Sequence, residues 1–570
     1  MEKWTLHAKK AEYNKIAEKF GIDPVTAVLI RNRDIISDES ISQYLQGDLN
    51  DLYSPKQMKD VEKATALIEK SISQNQKIRV IGDYDIDGIM STYILQQGLK
   101  AVGAYVDTVI PHRISDGYGL NVDLVKAAVS EGIDMIITCD NGIAAKEQIA
   151  VAKQAGLTVI VTDHHEVPYE EIDGERYQSL PPADAIVNPK QKDCEYPFEN
   201  LCGAAVAYKL VVELYRHFGL PREKHEELLE YVAMATIGDV MDLVDENRIL
   251  VKEGLKRLQA TANLGLQELI KVNDLSGEIS VYHIGFVLGP CLNASGRLDA
   301  ATRALELLNA TDISQAAQIA GDLKSLNDSR KEMTVQGVEE AVDAVESSTL
   351  SEDKDLVVYL PECHESLAGI IAGRLRERYY KPAIVLTDSE EGVKGSGRSI
   401  EEYSMYEELV KCQEFFSKFG GHPMAAGMSL QRKEDILHFR KKINELCELE
   451  EADLVEKVAI DVAMPLSYIR SDLIAEFELL QPFGKGNSKP VFARKKVMLQ
   501  NHRVLGKYNN VVKMKAVDDD GFSIEAIYFG ENKDFLQRLE QQEPVAITYY
   551  PTINSYMGRE TLQIVISHYK

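Results

Sequence analysis

Residues 77–91 read KIRVIGDYDIDGIMS, and no other stretch restricts the fold as strongly. The apolar run Ile78, Val80 and Ile81 predicts a buried strand of a parallel sheet. It ends in three aspartates at alternate positions, Asp83, Asp85 and Asp87, after which Gly88 permits a turn and MSTYILQQGLKAV predicts a helix. Alternate residues of an extended chain share one face, so three carboxylates converge just past the strand's end. Charge clustered in this way is very costly unless cations neutralise it, and the stretch predicts a metal site. On these residues alone a solvated acidic turn stays open. DYDIDG also matches the opening of an EF-hand loop, but that loop needs a glutamate at its twelfth position, which here is Ile94.

From Lys77 onward short apolar strands alternate with helical patterns: IRVIGDYD, STYILQQGLKAVG, YVDTVIP, NVDLVKAAVSEG, DMIITCDNG, AAKEQIAVAKQAG and LTVIVTDHHE. This alternation predicts an α/β domain with a parallel sheet, whose ligands bind beyond the carboxyl ends of the strands. Three of the strands end in acid, so Asp140, Asp163, His164 and His165 are expected at the same rim as Asp83, Asp85 and Asp87. Asp239 follows a predicted helix end in GDVMDL. LGPCLNASGRLDAATRAL, from Leu288, reads as a glycine-punctuated loop with Arg297 entering a helix.

The remaining chain divides by composition. Residues 1–75 predict a helical segment packing on the parallel-sheet domain (76–310), and 311–350 a connecting helix. A second α/β domain over 351–452 carries two glycine-rich loops, GVKGSGRS and KFGGHPMAAGMSL, with donors suited to a phosphate in Ser396, Arg398 and His422. Alternating runs over 453–570 predict a small β-barrel. Its stretch Gln481 to Lys515 holds no Asp or Glu but holds Lys485, Arg494, Lys495, Lys496 and Arg503, interleaved with Phe483 and Asn487, a pattern suited to single-strand binding.

A net charge of −26 excludes a chain basic all over, yet leaves room for a local basic groove. Seven cysteines without a CxxC pair predict reduced, cytoplasmic usage, and no apolar run approaches a membrane span. Carboxylates with imidazoles suit Mn2+ or Mg2+, and acids from several strand ends can hold two ions roughly 3.5–4 Å apart.

DYDIDG, CDNG, DHHE and GDVMDL resemble the successive motifs of the DHH phosphoesterase superfamily, and GSGRS and FGGHPMAAG its associated C-terminal domain. PHRISDGYGL, GP-LNA-GRL and LQPFGKGNSKPVF are similar to the RecJ family of single-strand-specific 5′→3′ DNA exonucleases. The resemblance implies that Asp85, Asp87, Asp140, His164 and Asp239 ligate two divalent ions, Mn2+ or Mg2+, with Asp140 bridging. It implies that Asp83 supports or joins the site and His165 acts near the scissile phosphate. Arg297, Ser396, Arg398 and His422 would grip phosphates, and Arg113 and Tyr118 would guide the strand. It further implies an OB-fold barrel, release of mononucleotides from single-stranded DNA in recombination and repair, a monomer, and work beside a single-strand-binding protein and a RecQ-like helicase. Two departures are Cys291, where many relatives have arginine, and ECHESLAG, which lacks the tryptophan often preceding its histidine, His364. The alternatives are a phosphodiesterase for short oligoribonucleotides or cyclic dinucleotides, and a catalytically dead scaffold.

Overall fold

The computed structural model describes residues 2–112, 119–172, 175–298, 301–389, 392–506, 509–530, 532–556 and 558–570. Arg113 and Tyr118 lie outside these residues, as does the side chain of Arg297. The chain forms two compact units, one of Leu6–Lys324 with Ala459–Lys570, the other of Met1–Thr5 with Ser325–Val458.

In the first unit a five-stranded parallel sheet has the order Tyr105–Val109, Lys77–Ile81, Met135–Cys139, Thr158–Thr162, Ala185–Val187. The strands are apolar because helices cover both faces; Met135–Cys139 is buried along its whole length. The register sets Ile81 beside Thr138, and Cys139 beside Thr162. The residues that follow these three strands therefore emerge level, at one rim. Arg79, a cation buried within the second of these strands, is bound by Asp107 (2.8 and 2.7 Å) and Glu131 (2.6 Å).

The C-terminal barrel has the strand order Val462–Ala463, Phe492–Leu505, Val511–Val517, Ser523–Phe529, Arg559–Tyr569, Val545–Tyr556, and Phe492–Val497 pairs back with Val545–Tyr549. Its core corrects one expectation. Helices Tyr13–Phe20, Pro24–Asn32 and Asp38–Gln46 give their apolar residues, including Leu29, Ile30 and Ile41, to the barrel's own core with Phe477, Leu480 and Phe492, while Tyr44 of the third also stacks against Arg248 of the parallel-sheet domain. The later helix Val61–Ser73 packs squarely on the parallel-sheet domain, against helix Gly203–His217 and strand Ala185–Val187.

A second correction concerns GPCLNASGRL, which is a helix, Gly289–Leu298, entered through a π-helical turn, Ile284–Leu288. Its glycines serve close approach: a Cβ on Gly296 would lie 2.3 Å from the carbonyl oxygen of Tyr84. Helix Ile313–Glu346 is continuous over 34 residues and contributes to both units.

In the second unit a five-stranded mixed sheet runs Phe416–His422, Ala425–Leu430, Gly392–Arg398, Ala383–Ser389, Leu356–Tyr359. The two glycine-rich segments are strands here, not loops. Their glycines make room for neighbours: a Cβ on Gly395 would meet Leu386, and one on Gly397 would meet Met405.

Candidate metal centre

Each acid of the rim owes its place to a chain reversal. Asp85 caps helix Ile86–Ala101, its Oδ1 accepting from the amides of Asp87 (3.0 Å) and Gly88 (3.1 Å), so one oxygen holds the turn and the other is available to an ion. The turn is held from outside by Asn293, whose Oδ1 accepts from the Ile86 amide at 2.8 Å. Asp140 follows strand Met135–Cys139 with φ +59°, a left-handed conformation that Asp and Asn tolerate best. Asp239 ends helix Leu229–Gly238, and the next residue, Val240, is exposed at φ +57°. A β-branched residue is strained there, and such strain clusters at functional sites.

The reversals bring three overlapping sets of ligand atoms together, each within 4.8 Å: Asp83, Asp85 and Asp140; Asp140, His164 and His165; Asp87, His164 and Asp239. Asp140 belongs to two sets, as does His164. His164 Nε2 lies 3.1 Å from Asp140, 3.5 Å from Asp87 and 3.8 Å from Asp239. Asp87 also accepts from the amides of Gly203 (2.6 Å) and Ala204 (2.7 Å), at the positive end of helix Gly203–His217.

The electrostatics test whether cations fit. Burial and the charge of Asp85 push Asp83 up to about 8; burial and the charges of Asp87 and Asp85 push Asp239 up to about 8. Burial and the same neighbours also raise Asp140, and burial with Asp87 raises Asp85. The buried Oδ1 of Asp83 has no hydrogen-bond partner among the described residues. Four crowded carboxylates that resist ionisation, one with an oxygen unsatisfied, are the donor set that divalent ions complete.

The two histidines differ. His164 is buried and pushed down by desolvation, which keeps it a neutral ligand. Burial also opposes charge on His165, but the hydrogen bond from its Nδ1 to Asp163 (2.8 Å) and that acid's charge outweigh burial and bring the ring to about 9. Asp163 further accepts from the amides of Ile143, His164 and His165, so it orients the whole turn.

Gly203 is as tightly placed as any ligand: its Cβ would lie 2.7 Å from the Asp140 Cβ. Gly203→Ala is expected to cost about 1–3 kcal/mol in chemical denaturation and to weaken Mn2+ binding in calorimetry. Unchanged Mn2+ affinity would show that the helix end does not set the position of Asp140.

Other assigned residues fall elsewhere. In the second unit Arg398 Nη1 donates to Ser396 Oγ (3.2 Å) and to the Gly397 carbonyl (2.8 Å), beneath Gly369 of helix Ala368–Tyr379. His422 is exposed two strands away, opposite Ala425, whose other neighbour is Arg398. His364 caps the turn leading to that helix, bonding Ser366. Cys291 is buried against Asn273.

On the barrel, Lys495, Lys496 and Arg503 are exposed. Two assignments are corrected. Asn487 is buried and structural: it accepts from Arg33 (2.9 Å) and Tyr44 (2.8 Å) and donates to the carbonyls of Leu480 and Pro482. Arg494 is committed to Asp519 (2.5 Å) and Asp520 (2.8 Å). Phe483 is half-buried, edge-on to Tyr550. Lys485 comes within 3.5 Å of Asp242, and its carbonyl accepts from the Leu243 amide, so the barrel's leading loop lies against the chain just after Asp239. Tyr282, on the helical turn Val281–His283, and Phe286, on the π-helical turn that follows, form an exposed stacked pair (5.1 Å) that no local sequence signal marks; a Cβ on Gly285 would lie 3.9 Å from Ile237, and one on Gly289, which opens the next helix, 3.4 Å from Ile86 beside the acid rim.

The parallel sheet and its acid rim are those of the DHH family, whose N-terminal-domain model matches residues 77–236; the DHHA1 domain model matches 352–449. The RecJ OB domain model matches 460–568, and the chain belongs to the RecJ family. It is 37% identical to the single-stranded-DNA-specific exonuclease RecJ of Bacillus subtilis over 97% of this chain and 68% of that one. Against the Haemophilus influenzae protein of the same name the figures are 31%, with 96% of each chain covered. Among solved structures, RecJ of Thermus thermophilus in complex with Mn2+ aligns with TM-score 0.84 and 26% identity, covering all of this chain and 79% of that one. Its Mg2+ complex aligns with TM-score 0.79.

Proposed function

We infer that this chain is a single-stranded-DNA exonuclease that hydrolyses phosphodiester bonds from the 5′ end, with two Mn2+ or Mg2+ ions held by Asp83, Asp85, Asp87, Asp140, His164 and Asp239. The observation that carries it is the three ligand sets sharing Asp140 and His164. Two divalent ions at such a rim supply Lewis acidity for in-line displacement at phosphorus. Asp87, fixed by two amides, and Asp140, fixed by its turn, keep the acids in place without reorganisation. His165, charged near neutral pH and engaged by Asp163 at Nδ1, is assigned to donate from Nε2 to a phosphate oxygen.

The exposed Tyr282 and Phe286 offer ring faces only to unpaired bases, which favours single strands. Ser396, Arg398, His422, Arg297, Arg113 and Tyr118 are proposed to hold the 5′ end and guide the strand. A barrel carrying exposed Lys495, Lys496 and Arg503 favours long DNA over the alternative of short oligoribonucleotides or cyclic dinucleotides. Neutralising all three is expected to lower the slope of log affinity against log salt by roughly 2, at about 0.7 per phosphate contact on single strands. An unchanged slope in fluorescence anisotropy would place the DNA elsewhere. From the family resemblance we further propose cytoplasmic work, as a monomer, beside a single-strand-binding protein and a RecQ-like helicase.

The deciding experiment labels either end of a single strand, compares it with duplex, and runs each with and without Mn2+. Mononucleotide release from the 5′ label alone, from single strands alone, is expected. Release from the 3′ label first would overturn the polarity.

A further inference from the structure

A cavity of about 280 Å³ opens where the N-terminal helices, the chain after Asp239 and the barrel's leading loop meet, all within the first unit. Its wall includes Arg33, Gln43, Tyr44, Asp245 and Arg248. Arg248 is 4% exposed and forms no salt bridge among the described residues; its guanidinium lies 4.1 Å over the Tyr44 ring and donates to the carbonyls of Tyr44, Leu480 and Leu479. Arg33, with its side chain 7% exposed, donates to Asn487, Leu29 and Ser488, and meets a carboxylate only at 4.0 Å, that of Asp461. Each guanidinium has five N–H donors and uses three among the described residues. Buried cations that share a cavity and lack a close counter-charge are costly, and an oxyanion supplies what is missing. Burial and the neighbouring Arg33 charge push Arg248 down from its ordinary value, in the direction such crowding dictates.

The two acids of the wall do not compensate them. Asp34 is paired with Lys9, and Asp245 accepts from the Tyr53 hydroxyl through Oδ2. The buried Asp245 Oδ1 has no partner among the described residues, so the cavity asks for an anion that also donates. A singly protonated phosphate does both. We propose that this cavity is a binding site for a phosphate group, distinct from the metal centre, filled by inorganic phosphate or by the 5′-phosphate of a released nucleotide. Arg248 holds residues 479 and 480 and Arg33 holds 487 and 488, so the bound anion clamps both ends of the loop that carries Lys485.

The test melts the full-length protein in EDTA at matched ionic strength with sodium phosphate, thymidine monophosphate, thymidine or sodium chloride. It uses the Arg398→Gln background, which removes a competing phosphate grip. Phosphate and the monophosphate are expected to raise the melting temperature by on the order of 2 °C, with thymidine and chloride inert. A larger shift with the monophosphate assigns the nucleotide; an equal one assigns inorganic phosphate. Gln43→Glu adds a carboxylate to the wall without touching either arginine's partners, and it is expected to abolish the shift. No shift in the starting protein, or the same shift with Gln43→Glu, overturns the site. So does a tungstate-soaked crystal with no anion between Arg33 and Arg248.

Discussion

Asp140→Asn is expected to reduce cleavage of single-stranded DNA by at least ~10³-fold while leaving the fold and the affinity for DNA nearly unchanged. Asparagine accepts the φ of +59° that this position requires, whereas alanine would add strain to the loss of charge. The substitution removes a carboxylate that two ligand sets share, so neither ion keeps its full coordination. Single-turnover cleavage with Mn2+, paired with anisotropy in EDTA, reads the two effects separately. Activity within tenfold of the parent would sink the assignment of Asp140 as the shared ligand.

The second large effect couples ions to pH. Asp83 and Asp239 bind protons in the folded, ion-free chain up to about pH 8, against an ordinary value near 3.8, so their ionisation opposes folding progressively from about pH 4 to 8. His165 is raised to about 9, and the stability it contributes, full below its ordinary 6.5, fades as pH rises through 9. Both effects have one sign between pH 6.5 and 8: stability of the ion-free protein falls as pH rises. Mn2+ must displace the protons on Asp83 and Asp239, so it binds more tightly, and stabilises more, at pH 8 than at pH 6. At about 100 times Kd, one such ion contributes ~2.7 kcal/mol. Melting curves at pH 6, 7 and 8, with EDTA or Mn2+, should diverge with pH. Asp83→Asn with Asp239→Asn should flatten the EDTA series. An EDTA series that rises with pH would contradict the crowding of these acids.

The rim was readable in the residues because strand period and a terminal acid coincide three times, after Ile81, Cys139 and Thr162. What holds the rim was not. Asn293 reaches the Ile86 amide across 207 positions, and Gly203 meets Asp87 across 116; such contacts leave no local pattern. The glycines of GPCLNASGRL and GVKGSGR suggested loops, although here they allow close packing inside a helix and a strand. Charge alone misplaced Arg494, because its partners Asp519 and Asp520 lie just past the acid-free window. Asn487 belonged by position to the window suited to single-strand binding, yet its side-chain oxygen accepts from residues 33 and 44 at the far end of the chain.

That last pairing of distant segments bears on how the polypeptide matures. Helices up to Gln46 keep their apolar stripes for a barrel that begins at Val462. At ~5–20 residues per second, a ribosome needs roughly 20–80 s to deliver the partner. Until then Leu29, Ile30 and Ile41 have no core to enter, so the nascent chain offers chaperones an early, prolonged target near its amino terminus. Shortening the gene at its 3′ side would leave that stripe uncovered for good, and shortening it at its 5′ side would bare the barrel residues it covers.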